Sequence, residues 1–200
     1  MQVELITGTP GPEEVIEKAC RICYDSASNE ETRGRFLQSV IKRGHESVLE
    51  HASATFKVTG VSRALTHQLV RHRIASYSQR SQRYVKECGF EYVMPQTVAS
   101  KKEASMAYRV IMERLSDTYR DLLAFGVPAE DARFILPNAC CTEIVMTMNF
   151  REFRHFIKLR ADKHAQWEIR KLAVEICKQL WGIAPDIFDD LYRQFNGEGV

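Results

Sequence analysis

The feature that most constrains this chain is an interval without a carboxylate. Between Glu50 and Glu87 there is no Asp or Glu, yet Lys57, Arg63, Arg71, Arg73, Arg80, Arg83 and Lys86 all fall inside it. The whole chain carries a formal net charge of only +2, so the local excess is a matter of placement. Four of those arginines and His72 lie between Arg71 and Arg83, with Ser76, Tyr77, Ser78, Gln79, Ser81 and Gln82 filling the gaps. Arg is always ionised and clamps phosphate or carboxylate with two parallel N–H bonds. The stretch reads as a mould for hydrogen-bonding polyanions such as nucleotides.

A solvated basic face and a nucleic-acid patch are the other fates open to such a run. Ile74, Ala75 and Tyr77 are poor residues for an open surface, and the arginines recur without the acidic partners of a solvated helix. A non-catalytic RNA- or single-strand-binding protein would use Tyr77 and Tyr84 as stacking groups. Nucleic-acid binders, however, have domain pI values above about 9, and this chain is nearly balanced.

Two hundred residues, 44% hydrophobic and 27% charged, suffice for one globular domain spanning residues 1–200. The N-terminus, Met1-Gln-Val-Glu-Leu, has neither a basic nor an apolar leader region, and no run is long enough to cross a membrane, so a cytoplasmic protein is expected. Six cysteines at this length are not a disulfide scaffold. Cys20 and Cys23 have redox or zinc spacing but no partner motif, and helical spacing around them predicts core thiols. No metal site is predicted.

Alternation over Gln2–Ile6, Ala52–Thr59 and Cys141–Met148 predicts strands, with a short one over Phe90–Val93. Helices are predicted over 13–23, 32–43 with Gly44 as the stop, 62–71, 100–125, 128–137, 151–159 and 165–181, with a last short one after Pro185. Helix 62–71 places Gln68 and Arg71 on one face, and the basic stretch leaves it as a loop. Met106, Val110, Ile111, Leu115, Tyr119, Leu122 and Leu123 follow helical spacing and assign the longest helix to the core and to subunit packing. The class is α+β, with a small mixed or antiparallel sheet and long helices. A second donor cluster runs through Asn149, Arg151, Arg154, His155, Arg160 and His164, while Phe153 and Trp167 are expected in the core.

Arg71-His72-Arg73, seven further residues and Ser81 form the R-H-R-x7-S pattern of the flavin-dependent thymidylate synthases, which this chain resembles. His45-Glu46-Ser47 with Glu50-His51 is similar to that family's H-E-T/S-x-x-E-H segment, and Leu159-Arg160-Ala161-Asp162 with His164-Ala165-Gln166-Trp167-Glu168 to its L-R-x-D-x-H-A-Q-W-E segment. Ser78 stands where many members have Asn.

The resemblance implies a homotetramer with active sites at subunit interfaces, converting dUMP to dTMP with FAD, NADPH and 5,10-methylenetetrahydrofolate. It places the flavin at Ser47, Arg71, His72, Arg73, Ile74, Gln79, Asn149, Arg151 and His155. It gives dUMP to Gln68, Arg71, Gln79, Arg80, Ser81, Gln82, Arg83 and Arg133, with Arg160 as the activating residue beside the uracil ring. Cysteine-dependent synthases attack the pyrimidine with a thiolate. No cysteine here lies in an activating setting, and hydride from reduced flavin makes one unnecessary.

Overall fold

The computed structural model describes residues 1–23 and 25–196. In chain order these form β1 (Gln2–Gly8), α1 (Pro12–Ile22), a 3-10 turn (Glu30–Thr32), α2 (Arg33–Lys42), a 3-10 segment (Glu46–His51), β2 (Ser53–Ser62), α3 (Arg63–Leu69) and β3 (Ala75–Gln79). There follow α4 (Gln96–Ala99), α5 (Lys102–Ala124), α6 (Ala129–Ala132) running into a 3-10 turn (Arg133–Ile135), β4 (Cys141–Asn149), α7 (Phe150–Arg160), α8 (Trp167–Ile183) and α9 (Pro185–Asn196). The α+β class holds.

The four strands lie in the order β1-β2-β4-β3. Each neighbouring pair joins the end of one strand to the start of the other, as an antiparallel sheet requires. Thr9, just past β1, donates its N–H to Ser53 at the start of β2; Phe150, just past β4, donates to Ala52; and Arg80, just past β3, donates to Glu143 early in β4. Facing hydroxyls of Thr55 and Thr147, 2.9 Å apart, keep the β2–β4 register.

The chain forms two compact units: Met1–Val58, Gln68–Tyr77 and Val145–Val200 make one, and Thr59–His67 and Ser78–Ile144 the other. In the first, Ala54, Phe56 and Val58 of β2 and Met146 and Met148 of β4 are buried at every second position. Phe153 of α7 meets Phe56 edge-on at 5.4 Å, and Phe150 meets Phe188 of α9 at 5.1 Å. Gly44 ends α2 at φ 77°: its own N–H reaches Ile41 O and the His45 N–H reaches Val40 O, a double closure that favours glycine.

In the second unit α5 departs from expectation. Of the apolar residues assigned to the core, Tyr119 is buried, but Met106, Val110 and Ile111 are 60%, 56% and 46% exposed. Helical spacing makes an apolar stripe, but one face of a 23-residue helix has more area than this unit covers. Tyr119 and Tyr108 instead tie the preceding loop down, the first accepting from Glu87 N at 3.3 Å and the second donating to Val93 O at 2.9 Å. The strand expected over Phe90–Val93 is reduced to one antiparallel bridge between Tyr92 and Cys140.

The basic stretch also differs from the loop expected of it. Ala75–Gln79 is an edge strand whose Ala75, Tyr77 and Gln79 are half-buried while Ser76 and Ser78 are exposed. Trp167 opens α8 and is 39% exposed, because Gln166 Oε1 accepts from the N–H groups of Glu168 and Ile169 and fixes the helix start there.

Candidate functional site

Two elements of the first unit converge on the candidate site. The segment leaving α3 is fixed by Tyr77, whose hydroxyl lies 2.8 Å from Leu69 O and 2.9 Å from His72 O, sharing one hydrogen between two carbonyls left open at a helix end. Burial, and then the Glu152 charge, pushes the Tyr77 pKa upward, so the hydroxyl stays a donor. Arg71, His72, Arg73 and Ile74 are carried on this pinned connection.

Helix α7 supplies the other wall. Asn149 caps it, its side-chain oxygen accepting from Glu152 N at 2.9 Å. Its inner face buries Phe150, Phe153, Phe156 and Ile157, together with Arg154. Arg154 gives Nη1 to Asp190 Oδ1 at 2.8 Å and Nη2 to Oδ2 at 2.6 Å, and donates to Ile187 O. The donor-cluster reading of Arg154 therefore gives way to an anchoring one. Arg151, His155 and Leu159 remain exposed on the other face.

His72 is buried between these walls, and both its ring nitrogens are engaged. Nδ1 is 3.0 Å from Glu152 Oε1, and Nε2 lies 3.1 Å from the Arg160 Nε–H. Because an Arg N–H can only donate, Nε2 must accept, which puts the ring proton on Nδ1 facing the carboxylate. Burial lowers the His72 pKa; the Glu152 bond opposes this and the Arg160 charge adds to it, leaving the net shift downward. Phe156 stands edge-on to the ring at 5.1 Å, and the His155 ring centroid is 5.7 Å away.

Arg71, Arg73 and Arg160 line one cavity of about 830 Å³, joined there by Val70, Ile74 and Leu159. Those three aliphatics are 42%, 67% and 48% exposed. Apolar surface left open beside three cations suits a ligand with a flat, weakly hydrated part and an anionic part. A neighbouring cavity of about 450 Å³ shares Ile74, Glu152 and His155 and adds Asn149, Arg151, Glu46 and Glu50. Arg151 is held at 2.5 Å by Glu50, an exposed pair that a ligand anion can displace. His72, Glu152 and His155 also bring one ligating atom each within 4.8 Å of the others. A cation bound to His72 would displace at least one of its two bonds and would sit beside Arg71, Arg73 and Arg160.

Ser47 is exposed on its 3-10 segment and Gln68 half-buried on the last turn of α3; neither lines these cavities. The other predicted residues belong to the second unit. Gln79 donates to Thr66 and Thr142 hydroxyls at 3.1 and 3.3 Å. Arg80 pairs with Glu87 at 3.2 Å and Glu143 at 3.5 Å. Ser81 Oγ accepts from Arg83 N at 3.3 Å, and the buried Gln82 side chain turns inward toward Cys140 Sγ at 3.7 Å. Arg83 and Arg133 meet on Glu130, the first on its carboxylate at 2.9 Å and the second on its carbonyl at 3.0 Å.

Sequence reasoning named Ile74 but missed Glu152, Glu130, and Val70 and Leu159 of the aliphatic lining. Glu152 sits three residues after Asn149, a spacing that reads as helix capping and so hides its second use. Val70 and Leu159 flank the two arginine-rich segments and were legible only as helix residues.

The antiparallel α+β fold carries a cavity whose arginines and open aliphatic side chains match the chemistry of an anionic, partly apolar organic ligand. Residues 4–186 match the protein family described as Thymidylate synthase complementing protein. Over 200 residues the chain is 49% identical to the flavin-dependent thymidylate synthase of Geobacter sulfurreducens, covering 95% of this chain and 86% of the relative. It is 43% identical to that of Nitratidesulfovibrio vulgaris, covering 94% and 85%, and 39% identical to that of Pyrococcus furiosus, covering 90% and 79%. The chain belongs to the flavin-dependent thymidylate synthase family.

Proposed function

We propose that this chain, acting as a single functional domain, methylates dUMP reductively to dTMP, with the arginine-lined cavity as the centre of its active site. In this reaction 5,10-methylenetetrahydrofolate gives the one-carbon unit and FAD, reduced by NADPH, provides the hydride. The observation that carries the assignment is the convergence of Arg71, Arg73 and Arg160 with the exposed Val70, Ile74 and Leu159 on one cavity of about 830 Å³. FAD has the matching chemistry, a flat ring system and a diphosphate.

Arg71, Arg73 and Arg151 are the cations that would neutralise the diphosphate, with Ile74 offering apolar surface and Ser47, Gln79, Asn149 and His155 as further flavin residues; His72, whose ring nitrogens are both engaged within the protein, would meet the flavin through its backbone. Gln68, Arg71 and the run Gln79, Arg80, Ser81, Gln82 and Arg83, with Arg133, would hold dUMP. The Glu130 carboxylate, to which Arg83 is bound, is an exposed acid that the nucleotide phosphate can replace, and Arg133 stands beside it on the Glu130 carbonyl. Arg160 serves the chemistry. Adding a hydride to uracil at C6 builds negative charge over C5 and O4, and a fixed guanidinium stabilises it as it forms, while the one-carbon unit bonds to C5 as the electrophile.

No thiolate is needed. Burial raises the Cys140 and Cys177 thiols to about 12 and also raises Cys20. The exposed Met106, Val110 and Ile111 on α5 fit a helix-packing interface, which supports a homotetramer with sites completed between subunits. No helix among the described residues is long and apolar enough to cross a membrane, in keeping with a cytoplasmic enzyme.

The deciding experiment is tritium release from [5-³H]dUMP with FAD, NADPH and methylenetetrahydrofolate, comparing wild type with Arg160→Ala. Folate-dependent release is expected in the wild type, falling by about a hundredfold or more in the variant. No release from flavin-loaded wild type would overturn the assignment, and wild-type turnover in Arg160→Ala would remove that residue from the mechanism.

A further inference from the structure

We propose that His72 is a positioning residue: its ring accepts the Arg160 Nε–H at Nε2 and gives its own Nδ1–H to Glu152, so that a Glu152–His72–Arg160 relay aims the guanidinium used in turnover. This inference rests on the thymidylate synthase reading of the cavity, and it assigns His72 a role that acts through another side chain.

The geometry leaves the ring little freedom to do anything else. With Nδ1 at 3.0 Å from Glu152 and Nε2 at 3.1 Å from Arg160, neither ring nitrogen is left over for a ligand. The His72 side chain is only 3% exposed and is braced by Phe156 at 5.1 Å. Its own backbone carbonyl is pinned by the Tyr77 hydroxyl at 2.9 Å. Arg160, by contrast, is the last residue of α7, where a long side chain has no helical neighbour beyond it to define its rotamer. Fixing Nε leaves both terminal nitrogens free to face the cavity, which Arg160 lines.

The relay has one built-in weakness. Protonating Nε2 replaces the acceptor with a donor, so two N–H groups then face each other and the guanidinium is released. The groups facing the ring set where this happens. Glu152 favours the proton, whereas Arg160 and His155, all on α7, oppose it, as does burial. Arg71 and Arg73 flank the ring in its own segment, and Tyr77 on β3 contributes a neutral hydroxyl. Because Glu152 is the group that stabilises the protonated ring, taking away its charge must move the loss of activity to lower pH.

The test is a set of pH–rate profiles for wild type, Glu152→Gln and His72→Ala, with dUMP affinity by titration calorimetry and the histidine ring ¹⁵N spectrum of the wild type. In wild type, kcat should fall about tenfold per pH unit on the acid limb while KM for dUMP changes less. Glu152→Gln should shift that limb to lower pH. His72→Ala should lose it and reduce kcat by about a hundredfold at every pH, the scale of a misplaced catalytic group, with flavin content retained. The ¹⁵N spectrum should show one buried ring protonated at Nδ1 with Nε2 bare. An acid limb that ignores both substitutions, or a His72 variant that loses flavin and keeps kcat, would overturn the relay. Failure of the underlying function would look different: the bare Nε2 signal would remain while the wild type released no tritium.

Discussion

Removing Asp190 isolates the term that holds helix α7 in place. In Asp190→Ala the Arg154 guanidinium, whose side chain is 1% exposed, loses both bidentate bonds and keeps its charge. Breaking a buried ion pair from one side costs about 3–5 kcal/mol because a charge is left without compensation. Here the Asp190 side chain is 55% exposed, so water can take over part of its role, and the Glu46 carboxylate remains 3.7 Å from Arg154 Nε. That places the cost at about 2 kcal/mol, below the fully buried range. For a chain of this length it corresponds to a fall in Tm of about 4–8 °C. Burial alone would raise the Asp190 carboxyl, but the bond to Arg154 outweighs it and the folded value lies below the ordinary one. The stabilisation is therefore present above the unfolded carboxyl pKa of about 3.9 and fades as pH falls through the folded value. Thermal melts of the two proteins should differ at neutral pH and converge in acid. Arg154→Met, which removes the charge along with its partner's role, should cost less than Asp190→Ala. If Arg154→Met proves the more damaging, or if Asp190→Ala melts within about 1 °C of wild type, the charge-burial reasoning is wrong.

Glu17 is fully buried on α1 and accepts from Arg33 at 2.9 Å, Arg21 at 3.1 Å and Asn29 N at 3.2 Å; Glu17→Gln should lower the unfolding free energy by about 2–3 kcal/mol in denaturant titration, and a change under about 0.5 kcal/mol would contradict this. The double variant Cys23→Ala/Cys88→Ala, which removes the two exposed thiols, should retain turnover to within about twofold; a loss beyond about tenfold would reopen thiolate chemistry.

The sequence was most legible where local rules decide. Gly44 closes the helix predicted before it, and at the start of the helix predicted over 62–71 the Ser62 hydroxyl accepts from Leu65 N at 3.0 Å. The sequence singled out the arginine-rich segment and Arg160, and one cavity gathers Arg71, Arg73 and Arg160. Where partners are remote, the same rules fail. Arg154 sits among other donors, and its fate depends on Asp190, which lies 36 residues further on. Strand β3 was hidden because its alternation is written in Ala, Ser, Tyr and Gln, without the aliphatic residues that usually announce a strand. The stripe on α5 was read correctly as apolar, but spacing reports a face and not what covers it.

Helix α7 sets adjacent residues to opposite tasks: Arg154 points into the packed interior while His155 lines the cavity. Successive α-helical residues are separated by about 100° around the axis, so inserting or deleting one residue early in α7 would rotate everything after it by that amount. The buried guanidinium and the cavity-lining imidazole would both be carried off their stations in one step. Side chains in this helix can be exchanged one at a time, but its length is fixed, and natural or engineered changes in chain length have to fall in the connections around it.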